Sequence, residues 1–329
     1  MRVTVEPLSV PTRDPFVISS GEVHATRSVL VRVELDDGTV GLGEGACLPP
    51  VTREDQADAL AALQRTPSLD ALDGWPVARA GLEMALLDAQ ARRAGLPLWR
   101  HLGGHGSAPT LETDITLPIL SPARMAELAA QWWQRGFRRF KVKAGHDLAA
   151  DLARLDAVRR AVPDAVLQSD ANGGFSVDEA LAYLATGVPF SCFEQPCATA
   201  AELVAVARCT QVPIIADESV KAVADLDALH GVAGVNLKIA KSGGLVAARA
   251  VGLEAQRRGL LVMVGGMVET KLGMTAAAHL AASLGGVDFA DLDTAFLLTE
   301  ERFEGGYESE GPMLSLPETP GLGIRLKVS

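Results

Sequence analysis

Paired cysteines are missing from this chain of 329 residues. Its four cysteines form no CxxC pair and show no spacing typical of a disulfide framework; they are Cys47, Cys192, Cys197 and Cys209. The N-terminal stretch MRVTVEPLSVPTR also lacks the apolar core of a secretion signal. Together these absences predict reduced, buried thiols in a cytoplasmic protein.

Long apolar runs and clustered positive charge are also absent. The most apolar segment, GLLVMVGGMV at 259–268, is far too short to cross a bilayer. The formal net charge is −11, and binding of phosphates needs clustered Lys and Arg. The sequence therefore excludes nucleic acid and anionic membranes as main partners, which leaves a small molecule as the expected ligand.

The first 110 residues predict a compact α+β domain. VLVRVEL at 29–35 and TVGLGEGAC at 39–47 flank the turn signal DDG, which indicates a β-hairpin. Two stretches with helical periodicity follow, and the second ends at Gly95 with Pro97 just beyond it. VGLGEG lacks the full G-x-G-x-x-G that opens a helix, so a dinucleotide-binding fold is excluded.

Residues 111–299 alternate between short β-rich runs and Ala-rich helical stretches. Eight such alternations favour a parallel (β/α)8 barrel, and an open doubly wound sheet is the structural alternative. The tail at 300–329 is rich in turns and is expected to pack back on the first domain. The predicted fold is thus a TIM-like barrel with an N-terminal capping domain completed by the C-terminal tail.

Carboxylates end three consecutive predicted strands. Asp170, Glu194 and Asp217 close the apolar runs AVLQSD, FSCFE and VPIIAD. Strand ends of a barrel meet at one face, and converging hard oxygen ligands suit Mg²⁺. Each residue alone could instead cap a helix, although Glu is not a preferred cap. No histidine lies at a ligand-like spacing, so zinc is not expected.

Lysines end the second and sixth predicted strands. Lys141 and Lys143 are two residues apart and share one face of a strand, and Lys238 points inward from strand six. Lys241 lies past the strand end and is expected to contact solvent or a helix. The alternative for an inward lysine is a structural ion pair. A neighbouring like charge lowers a lysine pKa, so Lys141 would activate Lys143 as a general base.

A metal and two inward lysines predict a specific chemistry. Strands two and six lie on opposite sides of a barrel mouth, so Lys143 and Lys238 would address opposite faces of one α-carbon. A substrate carboxylate bound to Mg²⁺ would have its enediolate stabilised after loss of the α-proton. One lysine removes a proton, the other returns one, and the product is an epimer.

These motifs, in this order, resemble the enolase superfamily in its muconate-lactonizing-enzyme-like subgroup. FKVK resembles the KxK motif, SDAN, FEQP and ADES the three metal-ligand motifs, and NLKIAKSGG the strand-six lysine motif. The segment at 263–283 and the DLD of 291–293 are most similar to dipeptide epimerases. The resemblance implies one Mg²⁺ per subunit, a substrate ammonium on Asp291 and Asp293, and Thr116 lining the pocket.

The capping loop departs from the pattern of enzymes that act on Ala-Glu dipeptides. FVISSGEVHAT at 16–26 has no arginine, and Ser20 in this loop is expected to contact the substrate. Gly266 and Met267 belong to a run of small residues that would widen the pocket. A neutral, aromatic or basic second residue is therefore expected in the dipeptide in place of glutamate.

Other functions stay open at this point. Cycloisomerases, o-succinylbenzoate synthases and N-succinylamino acid racemases of the same subgroup use the same metal ligands and lysines, but their substrates carry no ammonium for DLD. A non-catalytic barrel that binds a cation or acts as a scaffold is the alternative from another class. The sequence allows a homo-oligomer without giving its size.

Overall fold

An antiparallel sheet and a hairpin form the start of the chain in the computed structural model, which describes residues 1–145 and 147–327. The strands are β1 (Arg2–Leu8), β2 (Pro11–Ile18), β3 (Gly21–Ala25), β4 (Ser28–Glu34) and β5 (Val40–Ala46). β4 lies between β1 and β5, and β2 pairs with β3. The predicted β4–β5 hairpin is confirmed. Its turn contains Gly38 at φ +83°, a conformation that favours glycine.

Three helices follow this sheet: α1 (Gln56–Arg65), α2 (Pro76–Arg93) and α3 (Leu98–His101). α2 begins with Pro76, whose missing N–H is not needed in the first turn. It packs against β5 so closely that a Cβ on Gly41 or Gly43 would lie 2.1 Å from a helix carbonyl. Glycine in GLGEG therefore permits close helix–sheet packing.

Eight parallel strands form the second part of the molecule. In chain order they are β7 (Ile115–Leu117), β8 (Arg139–Lys143), β9 (Val166–Asp170), β10 (Phe193–Glu194), β11 (Ile214–Ala216), β12 (Gly234–Leu237), β13 (Leu261–Gly265) and β14 (Phe289–Asp291), after the short β6 (Leu111–Glu112). Each pairs with the next. A parallel bridge between Thr113 and Ala290 joins the two edges, so the sheet is nearly closed. The predicted barrel is confirmed.

Helices cover the outside of the barrel: α4 (Pro122–Gln134), α5 (Leu148–Ala161), α6 (Val177–Leu184), α7 (Ala200–Ala207), α8 (Ile239–Ser242), α9 (Leu245–Arg257) and α10 (Lys271–Ser283). Ser121, Asp147, Ser176, Thr199 and Thr270 cap the starts of five of them through their side chains. Single 3₁₀ segments occupy 70–72, 223–228 and 294–297.

The C-terminal tail runs back across the molecule as β15 (Phe303–Gly305), β16 (Glu308–Glu310), β17 (Met313–Ser315) and β18 (Ile324–Leu326). β17 pairs with β6. Arg92 of α2 donates to the Ile324 carbonyl at 2.6 Å, and Leu322 N–H donates to Asp88. The tail therefore contacts the N-terminal helices. The domain boundaries at 110 and 299 remain predictions, and the last two residues of the predicted tail lie outside the described residues.

The cysteines are free, as predicted, but not all are buried. Cys47, Cys192 and Cys197 are buried, whereas Cys209 is exposed just after α7. Within the described residues, no helix is both long enough and apolar enough to cross a membrane.

Candidate active site

The predicted site residues gather where the barrel strands end. Lys143, Asp170 and Glu194 are the last residues of β8, β9 and β10, and Asp217 and Lys238 directly follow β11 and β12. All five are buried. Parallel strands in consecutive order bring these ends together at one face, which explains why residues about a hundred positions apart become neighbours.

Asp170 balances the positive charges of Lys141 and Lys143, the two neighbouring lysines of β8. Lys143 Nζ lies 2.6 Å from Asp170 Oδ2, and Lys141 Nζ lies 3.0 Å from the same oxygen. Lys141 Nζ is also 2.7 Å from Glu194 Oε2 and 2.7 Å from Asp291 Oδ2. Each ammonium therefore has at least one carboxylate partner in this structure.

These ion pairs shift the pKa values of the charged groups at the end of β8. Burial alone would lower the pKa of Lys141, but Asp291, Glu194 and Asp170 outweigh it and raise that pKa well above its ordinary value. Burial would raise the pKa of Asp170, but the two lysines lower it to about 2. Lys141 is thus a fixed positive charge. The activation of Lys143 as a general base by Lys141 remains a prediction.

Lys241 corrects one expectation. It is buried, not solvent-facing, and its Nζ contacts both the Asp217 carboxylate and the Asp217 backbone carbonyl. Lys238 Nζ lies 2.6 Å from the other Asp217 oxygen. Burial would raise the pKa of Asp217, yet the two lysines hold it below its ordinary value. The reason is that α8 is a single turn, which folds Lys241 back toward the strand ends.

The three strand-end carboxylates follow one another along neighbouring strands, and they remain the predicted metal ligands. Glu194 lies beside Asp170 in the sheet register, and Asn236 Nδ2 donates to Glu194 Oε1 at 2.8 Å. Burial, and after it the charge of Asp170, raises the pKa of Glu194 to about 8. These carboxylates offer hard oxygen atoms, which are the ligands that Mg²⁺ prefers.

A second acidic group lies beside the first. Oxygen atoms of Asp114, Asp291 and Asp293 all lie within 4.8 Å of one another, a spacing that can hold a metal ion or an ammonium group. Thr116 N–H donates to Asp293 Oδ2. Burial and the neighbouring Asp291 raise the pKa of Asp293 to about 7. The predicted residues Thr116, Asp291 and Asp293 therefore meet, and Asp114 joins them without having been predicted.

Asn172 is a further residue that the sequence did not single out. Its Oδ1 accepts from Lys143 Nζ at 3.0 Å, and its Nδ2 donates to Glu218 at 3.0 Å. Its φ is +44°, a conformation that Asn tolerates better than most residues. The Asn two residues after the ligand-like Asp170 in SDAN was the available signal.

The N-terminal domain supplies the roof of the cavity. Phe16 and Ile18 of β2 line it together with Leu48 and Val51, and about 20 Å³ of free volume is left inside. Ser20 is exposed in the turn between β2 and β3, and its contact with the substrate remains a prediction. Its neighbour Ser19 donates to the Asn172 carbonyl at 3.2 Å and ties the hairpin to the barrel.

Gly266 and Met267 line the cavity, but close packing, and not a wider cavity, explains why residue 266 is a glycine. A Cβ on Gly266 would lie 2.2 Å from Met274 Cε and 3.0 Å from a Glu269 carboxylate oxygen. Met267 itself is buried and apolar. Close packing behind the wall therefore explains the glycine.

Two family models cover most of the chain. The one described as "Mandelate racemase / muconate lactonizing enzyme, N-terminal domain" matches residues 1–66. The one described as "Enolase C-terminal domain-like" matches residues 124–329. The first matched region contains β1 to β5, and the second contains seven of the eight barrel strands.

Known proteins are similar over nearly the full length. An aromatic dipeptide epimerase of Herpetosiphon aurantiacus is 38% identical, with 98% of each chain covered. The structure of the L-Ala-D/L-Glu epimerase from Bacillus subtilis in a substrate-liganded complex has a TM-score of 0.93 at 34% identity, with 98% of each chain covered. A dipeptide epimerase from Enterococcus faecalis complexed with Mg and L-Leu-L-Tyr has a TM-score of 0.91 at 32% identity, again covering 98% of each chain. This chain therefore belongs to the mandelate racemase/muconate lactonizing enzyme family of the enolase superfamily.

Proposed function

We propose that this protein is a Mg²⁺-dependent dipeptide epimerase that inverts the α-carbon of the C-terminal residue. The observation that carries the proposal is the position of Lys143 and Lys238. They stand at the ends of the second and sixth of eight barrel strands, and both line one cavity. Two amines on opposite sides of a bound α-carbon are what a two-base epimerisation requires.

Each lysine acts on one face of the substrate. One neutral amine takes the α-proton, while the ammonium opposite donates a proton to the other face, so no other reactant is consumed. Lys141 stays charged because the surrounding carboxylates raise its pKa, and it is suited to bind the substrate carboxylate.

Asp170, Glu194 and Asp217 are the residues that would hold the metal. Bound there, Mg²⁺ would stabilise the negative charge that develops on the substrate carboxylate. Their burial and crowded charge support this assignment.

Asp291 and Asp293 favour a dipeptide over the other substrates of the subgroup. They are buried carboxylates beside the cavity wall at Thr116, and a free ammonium would complete their hydrogen bonds. Substrates of o-succinylbenzoate synthases, cycloisomerases and N-succinylamino acid racemases offer no ammonium at that place.

The roof indicates the second residue of the dipeptide. Its side chains are apolar, namely Phe16, Ile18, Leu48 and Val51, with Met267 on the opposite wall. A glutamate side chain would be buried there without a partner, which is costly. An apolar or aromatic C-terminal residue is therefore the proposed substrate class, and Xaa-Glu dipeptides are disfavoured.

A dipeptide library in D₂O with Mg²⁺ tests this function. Exchange of the α-proton, followed by mass spectrometry or NMR, should be fastest for dipeptides that end in an apolar residue. Lys143→Ala and Lys238→Ala should each lower epimerisation by about 10³-fold or more, because each removes one acid–base group. Each variant should still exchange the proton of one stereoisomer.

The exposed lysine Lys221 offers a matched control. Lys221→Ala should keep the wild-type rate. Retained two-way epimerisation in either active-site variant would refute the two-base mechanism, and exchange restricted to Xaa-Glu would refute the proposed side-chain class.

A further inference from the structure

A second pocket adjoins the catalytic cavity and is far roomier. It has a volume of about 230 Å³ and shares Phe16 and Thr116 with the cavity. We call it the arginine pocket because Arg13, Arg124 and Arg135 line it. Asp14 lines it as well. Its remaining wall comes mainly from α4, on the outside of the barrel.

The charge of the arginine pocket is opposite to that of the chain. The whole protein carries −11, whereas three arginines and one aspartate line this pocket. Asp14 and Glu127 both pair with Arg124, at 2.9 Å and 2.7 Å, so its charge is balanced. Among the described residues, no carboxylate lies within ion-pairing distance of Arg13 or Arg135.

Arg135 is held in place although it has no acidic partner. Its guanidinium stacks on the Trp132 ring at 4.0 Å. Partial burial, and after it the nearby Arg13 guanidinium, lower the pKa of Arg135 below its ordinary value. Arg135 follows the C-terminus of α4, where the helix dipole favours a cation. The dipole does not explain why a second arginine, Arg13, lines the same pocket.

Thr116 connects this positive charge to the substrate. Its N–H donates to Asp293, one of the two proposed ligands of the dipeptide ammonium. The ammonium and the first side chain of a dipeptide leave the same α-carbon. Thr116 lines both the catalytic cavity and the arginine pocket, so the side chain of a first residue anchored at Asp293 starts next to the boundary between the two.

We propose that the arginine pocket binds an anionic side chain, Asp or Glu, at the first position of the dipeptide. This proposal rests on the proposed function and adds the chemical class of the other substrate residue. Arg13 and Arg135 supply the charge, and Leu128 and Leu297 in the pocket wall suit the side-chain methylenes. The preferred substrate thus combines an acidic first residue with an apolar second one.

Three dipeptides that differ only at the first residue test the subsite: Glu-Leu, Gln-Leu and Lys-Leu, with Ala-Leu as a reference. We expect kcat/KM to fall in the order Glu, Gln, Lys, with a Glu-over-Gln ratio of roughly threefold to tenfold, as for a partly exposed charge contact. The difference should lie mainly in KM and should shrink as KCl is added.

Arg135→Gln and Arg13→Gln should each bring the Glu-over-Gln ratio close to one. Arg138→Gln is the matched control, because Arg138 stacks on Trp133 at the same 4.0 Å but lies outside the pocket. The ratio of kcat/KM for Glu-Leu to that for Gln-Leu is unaffected by a general loss of activity or by a smaller fraction of folded protein, because both values fall equally.

The outcomes separate this inference from the proposed function. Turnover of Ala-Leu with no preference for Glu-Leu over Gln-Leu would overturn the subsite and leave the epimerase intact. An equal change of the ratio in Arg135→Gln and Arg138→Gln would overturn it as well. If none of the library dipeptides exchanged an α-proton, the proposed function would fail, and the subsite with it.

Discussion

Asp114 stands out among single residues because it is buried and neither of its carboxylate oxygens has a hydrogen-bond partner in the described structure. Burial, and then the charges of Asp291 and Asp293, raise its pKa well above the ordinary value. An ionised group there would face two like charges in a low-dielectric interior. Burial and the two neighbouring carboxylates therefore favour the protonated form of Asp114.

Two substitutions test the neutral state of Asp114. Asp114→Asn mimics the protonated carboxyl group in shape and charge, so KM for a dipeptide should stay within about threefold of wild type, and stability within about 1 kcal/mol. Asp114→Leu removes the carboxyl group altogether and should raise KM about tenfold or more. Steady-state kinetics with thermal unfolding checks both, and a large loss in the Asn variant would show that Asp114 is ionised.

At the residue scale the sequence identified the lysines and carboxylates but not their partners. Residues at the end of an apolar run can be recognised, because the run itself marks a barrel strand. Lys241 and Asn172 act through the turns that follow a strand, and neither a one-turn helix nor a positive φ leaves a periodic pattern.

Among the secondary-structure elements, α10 has an unusual cap. Glu44 of β5 accepts hydrogen bonds from the Thr270 and Gly273 N–H groups in the first turn of α10. It also accepts the Thr270 and Ser28 hydroxyls. A carboxylate at a helix N-terminus satisfies donors that have no partner within the helix. One side chain of the N-terminal sheet thus completes a barrel helix.

Glu44→Gln should be destabilising although it is nearly isosteric. The side-chain NH2 of glutamine cannot accept a hydrogen bond, so the two donors that now share one carboxylate oxygen would lose their acceptor inside the protein. We expect a loss of about 2 kcal/mol in the free energy of unfolding, measured by urea denaturation. Glu34→Gln on the adjacent strand is the control, because its pairing with Arg2 is exposed and should contribute little to stability. Equal losses would refute the cap.

Regular elements were predictable and their exceptions were not. The alternation of β-rich and helical stretches located the eight barrel strands, because a pattern repeated over many residues averages out local variation. β10 retains only Phe193–Glu194, and a 3₁₀ segment at 223–228 stands where a barrel helix is usual. Such shortening follows from tertiary packing, which a single sequence does not display.

For the whole molecule, His279 joins three parts of the chain. It lies in α10, its Nδ1 accepts the Trp99 N–H at 3.1 Å, and its ring makes a further hydrogen bond with the backbone of Leu322 in the tail. Burial lowers its pKa to about 3. The ring is therefore neutral in the folded protein at every pH where the protein is expected to work.

This burial predicts a pH dependence of stability. The unfolded chain takes up a proton at its ordinary pKa of about 6.5, whereas the folded protein takes it up only near pH 3. The His279 contribution is complete above that ordinary value and falls by about 1.4 kcal/mol for each pH unit below it. His279→Gln should flatten the acid limb of stability measured by denaturation, and His230→Gln, which is exposed, should not. Parallel acid limbs for His279→Gln and wild type would contradict the prediction.

Metal binding should also appear in the stability of the whole molecule. A ligand present at 100 times its Kd and bound only by the folded state adds about 2.7 kcal/mol. Mg²⁺ should therefore raise Tm by several degrees relative to EDTA. Asp217→Asn should abolish the shift, and Asp178→Asn, exposed in the first turn of α6, should keep it. An unchanged wild-type Tm would favour the scaffold alternative.

The roof over the catalytic cavity and the floor beneath it come from different parts of the chain. Phe16 and Ile18 belong to the two-stranded β2–β3 hairpin. The lysines and carboxylates that form the floor of the cavity belong to a barrel strand or to the turn after it. Substitutions in the hairpin can therefore change which side chain fits without moving an acid–base group. Substrate preference and chemistry can evolve separately in this protein, so a new specificity can arise from a few changes in one short hairpin while the reaction is inherited unchanged.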